Sequence, residues 1–123
     1  MMEATDSRFK KECRNDIRAV HDAMDVLSGK WKISIIAVLC YSSQRRFSEI
    51  ITEVEGISNK MLSKELKELE ANKLIKRKVI DTQPVTVNYK LTDYGKSLRE
   101  IIEHLSKWGR DHRAEITGKQ QVP

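Results

Sequence analysis

Residues 57–95 read ISNKMLSKELKELEANKLIKRKVIDTQPVTVNYKLTDYG, a basic amphipathic helix that runs directly into a positively charged β-hairpin. Ser58 is a good N-cap. Met61, Leu62, Leu66 and Leu69 recur at helical spacing, which leaves Asn59, Lys60, Ser63, Lys64 and Lys67 on the other faces. The period then changes from 3.6 to 2. Val85, Val87, Tyr89 and Leu91 alternate with Thr86, Asn88 and Lys90, and the run from Ile75 to Ile80 carries Lys76, Arg77 and Lys78. Polar, basic side chains on a helix followed by a basic hairpin are the working end of a winged helix-turn-helix, so the predicted fold is mainly α with a small β-hairpin wing.

Upstream, Phe47, Ile50, Ile51 and Val54 repeat at i, i+3, i+4 and i+7 and predict the first helix of the motif over about 48–54, and Glu55-Gly56-Ile57 makes the turn, its glycine free to take positive φ. Arg45 to Phe47 is expected as a short strand edge against the wing. The aliphatic run from Ile33 to Leu39, opened by Trp31, reads as a central core helix that also takes in Cys40. Ala19, Val20, Ala23, Met24 and Leu27 predict a helix from Ile17 that Gly29 stops. Residues 1–16 are polar and read as an irregular arm, residues 17–115 as the winged-helix domain, and 116–123 as a polar tail. After the wing, Thr92 is placed to cap a last helix whose Leu98, Ile101, Ile102, Leu105 and Trp108 form a longer apolar stripe than a small core needs. The first and last helices are therefore expected to build a homodimer.

A chain of 123 residues, 39% hydrophobic and 33% charged, is sized for one soluble domain. It has no apolar run near the roughly 18 residues of a membrane helix and no signal-peptide core, so a cytoplasmic protein without a membrane partner is expected. A net charge of +5 favours a polyanionic partner. Cys13 and Cys40 are too few for a disulfide framework, and His21, His104 and His112 show no ligand spacing with either, so no metal and no cofactor is expected. No glycine-rich phosphate loop, nucleophile elbow or poised carboxylate pair is present, which argues against an enzyme.

Several motifs in succession resemble the HxlR family of bacterial winged-helix transcriptional regulators. They are Gly29-Lys30-Trp31, Arg46-Phe47-Ser48-Glu49-Ile50, Gly56-Ile57-Ser58 with Met61-Leu62, Leu66-Lys67 and Leu69, then Pro84-Val85 with Val87, Tyr89, Leu91-Thr92 and Gly95, and last Trp108. The resemblance spans roughly Cys13 to Trp108. The chain departs from it in having Arg14 where the family usually has proline and Asn88 where it often has an acidic residue. It implies a homodimer on a (pseudo)palindromic DNA operator, with recognition helices in successive major grooves and wings near the flanking minor grooves.

The residues support double-stranded DNA as the partner in their own right. The N-terminus of the helix at Ser58 offers free N–H groups and a partial positive charge to a phosphate, to which Lys60, Lys64 and Lys67 add formal charge. Asn59, Lys60, Ser63 and Lys64 lie in the first two turns, where side chains reach base edges. Arg46, Lys76, Arg77 and Lys78 complete the basic set. The bland reading of the same lysines is a solvated face paired with Glu65 and Glu68, and the alternative function is a winged-helix protein-interaction module without DNA. Trp31 and Trp108 read as core and interface aromatics. A subset of the HxlR family senses oxidants or electrophiles through an N-terminal cysteine. In this chain Arg8, Lys10, Lys11 and Arg14 surround Cys13 and favour a thiolate, whereas Glu12 and Asp16 oppose it. An oxidant or small-molecule effector acting at Cys13 stands beside a cysteine that only packs at the dimer interface. Cys40 reads as core, with an intersubunit disulfide to Cys13 as the other option.

Overall fold

The apolar spacing is realised as five α-helices and a three-stranded antiparallel sheet in the computed structural model, which describes residues 2–118 and the side chains from Ser7 onward. Contacts divide the chain after Lys30 into two units. The first unit is one helix, α1 (Met2–Leu27), followed by Gly29 at φ +92. The irregular arm expected over 1–16 is helical instead, and the helix passes through Ile17 without a break. Its physical reason is a stripe that the charged composition hides. Phe9, Cys13, Ile17, Val20, Met24 and Leu27 are spaced by three or four residues and lie on one face, and the exposed Arg8–Glu12 pair at 3.3 Å adds i,i+4 support to the helix.

The second unit begins with Trp31 and α2 (Lys32–Cys40), whose Ile35, Ile36 and Leu39 are fully or almost fully buried. A nine-residue helix is too short to stand alone. It is held by its core, where each buried Leu or Ile is worth about 1.5–3 kcal/mol. A two-residue strand, β1 (Arg45–Arg46), leads into α3 (Phe47–Glu53). The backbone turns at Gly56, φ +87, into α4 (Asn59–Ala71), capped by Ser58 Oγ, which accepts from Met61 N–H at 3.1 Å. The end of α4 closes through Lys73 in the left-handed region, with Leu74 N–H donating to Leu69 C=O and Lys73 N–H to Glu70 C=O.

The wing is β2 (Ile75–Ile80) against β3 (Thr86–Leu91), with β1 on the far side of β3. One expectation fails in it. Asn88 is buried at 8% exposure, although alternation put it outward with Thr86 and Lys90, because β3 is the central strand and Asn88 lies between Arg46 of β1 and Lys78 of β2. Thr92 caps a 3-10 turn, Gly95–Ser97, rather than the last helix itself, accepting from Gly95 N–H at 2.9 Å. That turn runs into α5 (Leu98–Thr117), which Gly118 ends at φ +71. Of the expected tail, Ile116 and Thr117 still belong to α5, and residues 119–123 lie outside the described residues.

Candidate nucleic-acid interface

Burial sorts α4 into two faces. Leu62, Glu65, Leu66 and Leu69 point inward, whereas Asn59, Lys60, Ser63, Lys64 and Lys67 are all exposed. None of the three lysines has a carboxylate within salt-bridge distance among the described residues, although the Lys64 charge also lowers the Glu68 carboxyl from farther off. Two of the three acids of the same helix, Glu65 and Glu68, are engaged elsewhere, and sequence reading missed how, whereas Glu70 is exposed and lines the cleft that Ser63, Lys67 and Arg77 share. Lys32 of α2 is buried at 7% exposure and donates from Nζ to Glu65 at 2.8 Å and also to Glu68. Burial works against the Lys32 charge, but its bonds to Glu65 and Glu68 outweigh that and hold its pKa above the ordinary lysine value. The Lys32 ammonium in turn lowers the Glu68 carboxyl, despite partial burial. Two carboxylates that paired on paper with the exposed lysines are thus drawn to Lys32 from behind, and the outer face of α4 keeps Lys60, Lys64 and Lys67 with Glu70 as its exposed acid. Only the backbone could have signalled this, since Lys32 lies 33 and 36 residues away from its partners.

The other expected residues fall at defined places around that face. The Ser58 hydroxyl is occupied by the helix cap, so what this position offers outward is the start of the helix with its free N–H groups. Ser63 and Lys67 share a cleft of about 350 Å³ with Arg77 and Tyr89 of the wing. Lys76, Arg77 and Lys78 are all exposed but split between strand faces, and Lys76 lines a different cleft, beside Cys40. Arg46 is exposed on β1, its guanidinium 3.5 Å from Glu49. The Glu49 carboxylate also accepts from the Arg46 N–H at 2.9 Å, and that bond holds its pKa below the usual carboxylate value.

The apolar stripe of α5 also divides. Leu98 and Ile102, expected in a dimer interface, are buried at 8% and 7% in the core of their own unit, because they face α2. Ile101, Leu105 and Trp108 remain exposed, Trp108 by 66%, and its indole stacks on His112 with ring centroids 4.9 Å apart. On α1, Cys13 is exposed among Phe9, Ile17 and Val20. Cys40 is half-buried, and burial raises its thiol pKa, with Arg99 pulling it down less strongly. No group of histidines, cysteines and carboxylates among the described residues could hold a metal ion. Among the described residues, no helix is long and apolar enough to cross a membrane.

The family model described as HxlR-like helix-turn-helix matches residues 26–117. The HTH-type transcriptional regulator YvaP of Bacillus subtilis is 44% identical over 89 residues, which is 72% of this chain and 82% of that protein. Among solved structures, the redox regulator HypR in its reduced form superposes with a TM-score of 0.75 at 31% identity, covering 81% of this chain and 98% of that one. Reduced YodB of B. subtilis gives 0.65 at 38% identity, with 72% and 85% covered. HypR also has an oxidized structure, and YodB has diamide-treated and quinone-bound structures.

Proposed function

The chain belongs to the HxlR-like helix-turn-helix family of transcriptional regulators, and from that premise we propose that it binds a (pseudo)palindromic DNA operator as a homodimer whose affinity responds to modification of Cys13. The observation that carries the DNA reading is the outer face of α4: Asn59, Lys60, Ser63, Lys64 and Lys67 exposed together, with none of the lysines in a salt bridge among the described residues and Arg77 beside them. A protein-interaction module would present exposed aliphatic side chains there. Lys60, Lys64, Lys67, Arg77, Lys78 and Arg46 are the phosphate and base contacts of this reading, and Ser58 acts through the helix start it caps. A dimer making about eight phosphate contacts has a slope of log K against log salt of roughly −7. A slope near zero in fluorescence anisotropy on genomic duplexes refutes the reading. Lys64→Ala relaxes preference at one position per half-site by about 1–3 kcal/mol if it reads a base, and weakens all sequences alike if it holds a phosphate.

The dimer rests on two exposed apolar stripes, Phe9, Ile17, Val20 and Met24 on α1 and Ile101, Leu105, Trp108 and Ile116 on α5. Soluble monomers rarely leave so much contiguous apolar surface in water. Light scattering of the intact protein at micromolar concentration is expected to give twice the chain mass, and Trp108→Glu to shift it toward monomer. Wild type that is monomeric refutes the dimer. If the dimer stands, its recognition helices lie about 34 Å apart, one DNA turn, or a multiple of that.

Cys13 lies within the α1 stripe, so a bulky or charged adduct there acts on subunit geometry and hence on half-site register. The oxidised and quinone-bound states of HypR and YodB favour the same reading for this chain. Diamide or a quinone is expected to change operator affinity in wild type and in Cys40→Ser, but not in Cys13→Ser. An equal response in Cys13→Ser leaves Cys13 as a packing residue.

A further inference from the structure

A second cleft, of about 330 Å³, opens between the end of α2, the base of the wing and the start of α5. Its walls carry four cations, Lys76, Lys90, Lys96 and Arg99, against one carboxylate, Asp93. Two of the four are neutralised. Lys96 lies 3.6 Å from Asp93, and Arg99 lies 3.4 Å from Glu103. The other two are not. Lys76 and Lys90 are direct cross-strand partners in the β2–β3 register, so their side chains leave the sheet on one face, and neither has an ion-pair partner among the described residues. Like charges directly opposite each other on a strand pair are unfavourable. A fold that keeps two facing lysines at the mouth of a concave site has a position where an anion relieves the repulsion. Ser42 and Ser43 add hydroxyl groups on the α2 side, and the buried Leu39 gives the cleft an apolar wall.

We propose that this cleft binds a small organic anion, held through a phosphate or carboxylate group between Lys76 and Lys90, with its body against Leu39. The volume is at the low end of the roughly 300–1,000 Å³ of small-molecule sites, which suits a compact metabolite rather than a polymer backbone. The site lies apart from the α4 groove, because Lys76 and its neighbour Arg77 line different clefts. Burial raises the pKa of the Cys40 thiol in its wall, and the proposal rests on recognition by charge and shape.

The test uses the full chain without DNA, which separates it from the operator reading. Inorganic phosphate and citrate are titrated separately by calorimetry and thermal melting at ionic strength held constant with chloride. Saturable binding of one anion per chain is expected, with a rise in melting temperature of a few degrees at saturation. The arm that binds more tightly assigns the phosphate or carboxylate chemistry. Lys76→Gln with Lys90→Gln is expected to lose at least tenfold in affinity while melting no lower than wild type in the absence of anion, since a repulsion has been removed. Chloride stabilising as well as phosphate and citrate overturns the proposal, as does unchanged anion affinity in the double variant. Loss of duplex DNA binding in that variant, with no anion binding by wild type, reassigns the lysines to the DNA backbone.

Discussion

Gly95→Ala is expected to destabilise the protein by about 3 kcal/mol or more, lowering the melting temperature by roughly 10 °C or more, a loss that calorimetry reads directly. The cause is close approach of backbone to backbone. A β-carbon on Gly95 would stand 2.0 Å from the Leu74 carbonyl oxygen and 2.9 Å from its carbon. Neither atom can rotate away, and the same carbonyl already accepts from Thr92 N–H at 3.0 Å and from Thr92 Oγ1–H at 3.2 Å. Thr92 also donates to Lys73 C=O at 2.7 Å, so one threonine and one glycine dock the start of the 3-10 turn onto the α4–β2 corner. That corner fixes the angle between recognition helix and wing. A variant that melts within 1 kcal/mol of wild type means that the corner is looser than this contact requires.

The two periods around residue 74 were legible because α4 has one wet and one dry face and the strands carry alternating residue types, so α4, β2 and β3 begin and end close to where their patterns change, even though β2 is exposed on both faces from Lys76 to Val79. What escaped reading depends on partners distant in sequence. Leu98 and Ile101 look alike in a stripe, and only the position of α2 decides that the first is core and the second surface. Asn88 follows a clean alternation and is buried nonetheless, because a third strand covers it. The N-terminal half of α1 was hidden for another reason: its apolar residues are diluted by charge, so heptad-like spacing of Phe9, Cys13, Ile17 and Val20 carried the signal and mean composition did not. At the candidate interface the exposed residues of α4 were readable from helical spacing alone, whereas the reason they stay basic was not.

That reason is Lys32, and its removal is the other change with a large expected effect. In Lys32→Met, Glu65 stays buried at 6% exposure without its counter-ion, and breaking a buried pair on one side costs about 3–5 kcal/mol. The pH dependence identifies the mechanism. In wild type the lowered Glu68 contributes stability that is present above its ordinary value of 4.5 and lost as pH falls through its folded value. The raised Lys32 contributes stability that is present below 10.5 and lost as pH rises through its folded value. In the variant the bond that lowers Glu68 is gone, so wild type loses as pH falls a contribution that the variant never had, and the deficit shrinks toward the carboxylate range. Lys32→Met combined with Glu65→Leu is expected to recover most of the loss, since an apolar pair of similar volume replaces the ionic one. The single variant also carries uncompensated negative charge on α4, the helix proposed to meet DNA. Its operator affinity, measured at low temperature where it remains folded, is expected to fall by about twofold or more, less so at high salt. Urea titration of the three proteins between pH 4 and 8 checks the stability series, and a deficit in Lys32→Met that stays constant with pH would mean that Lys32 acts through packing of its aliphatic stem instead.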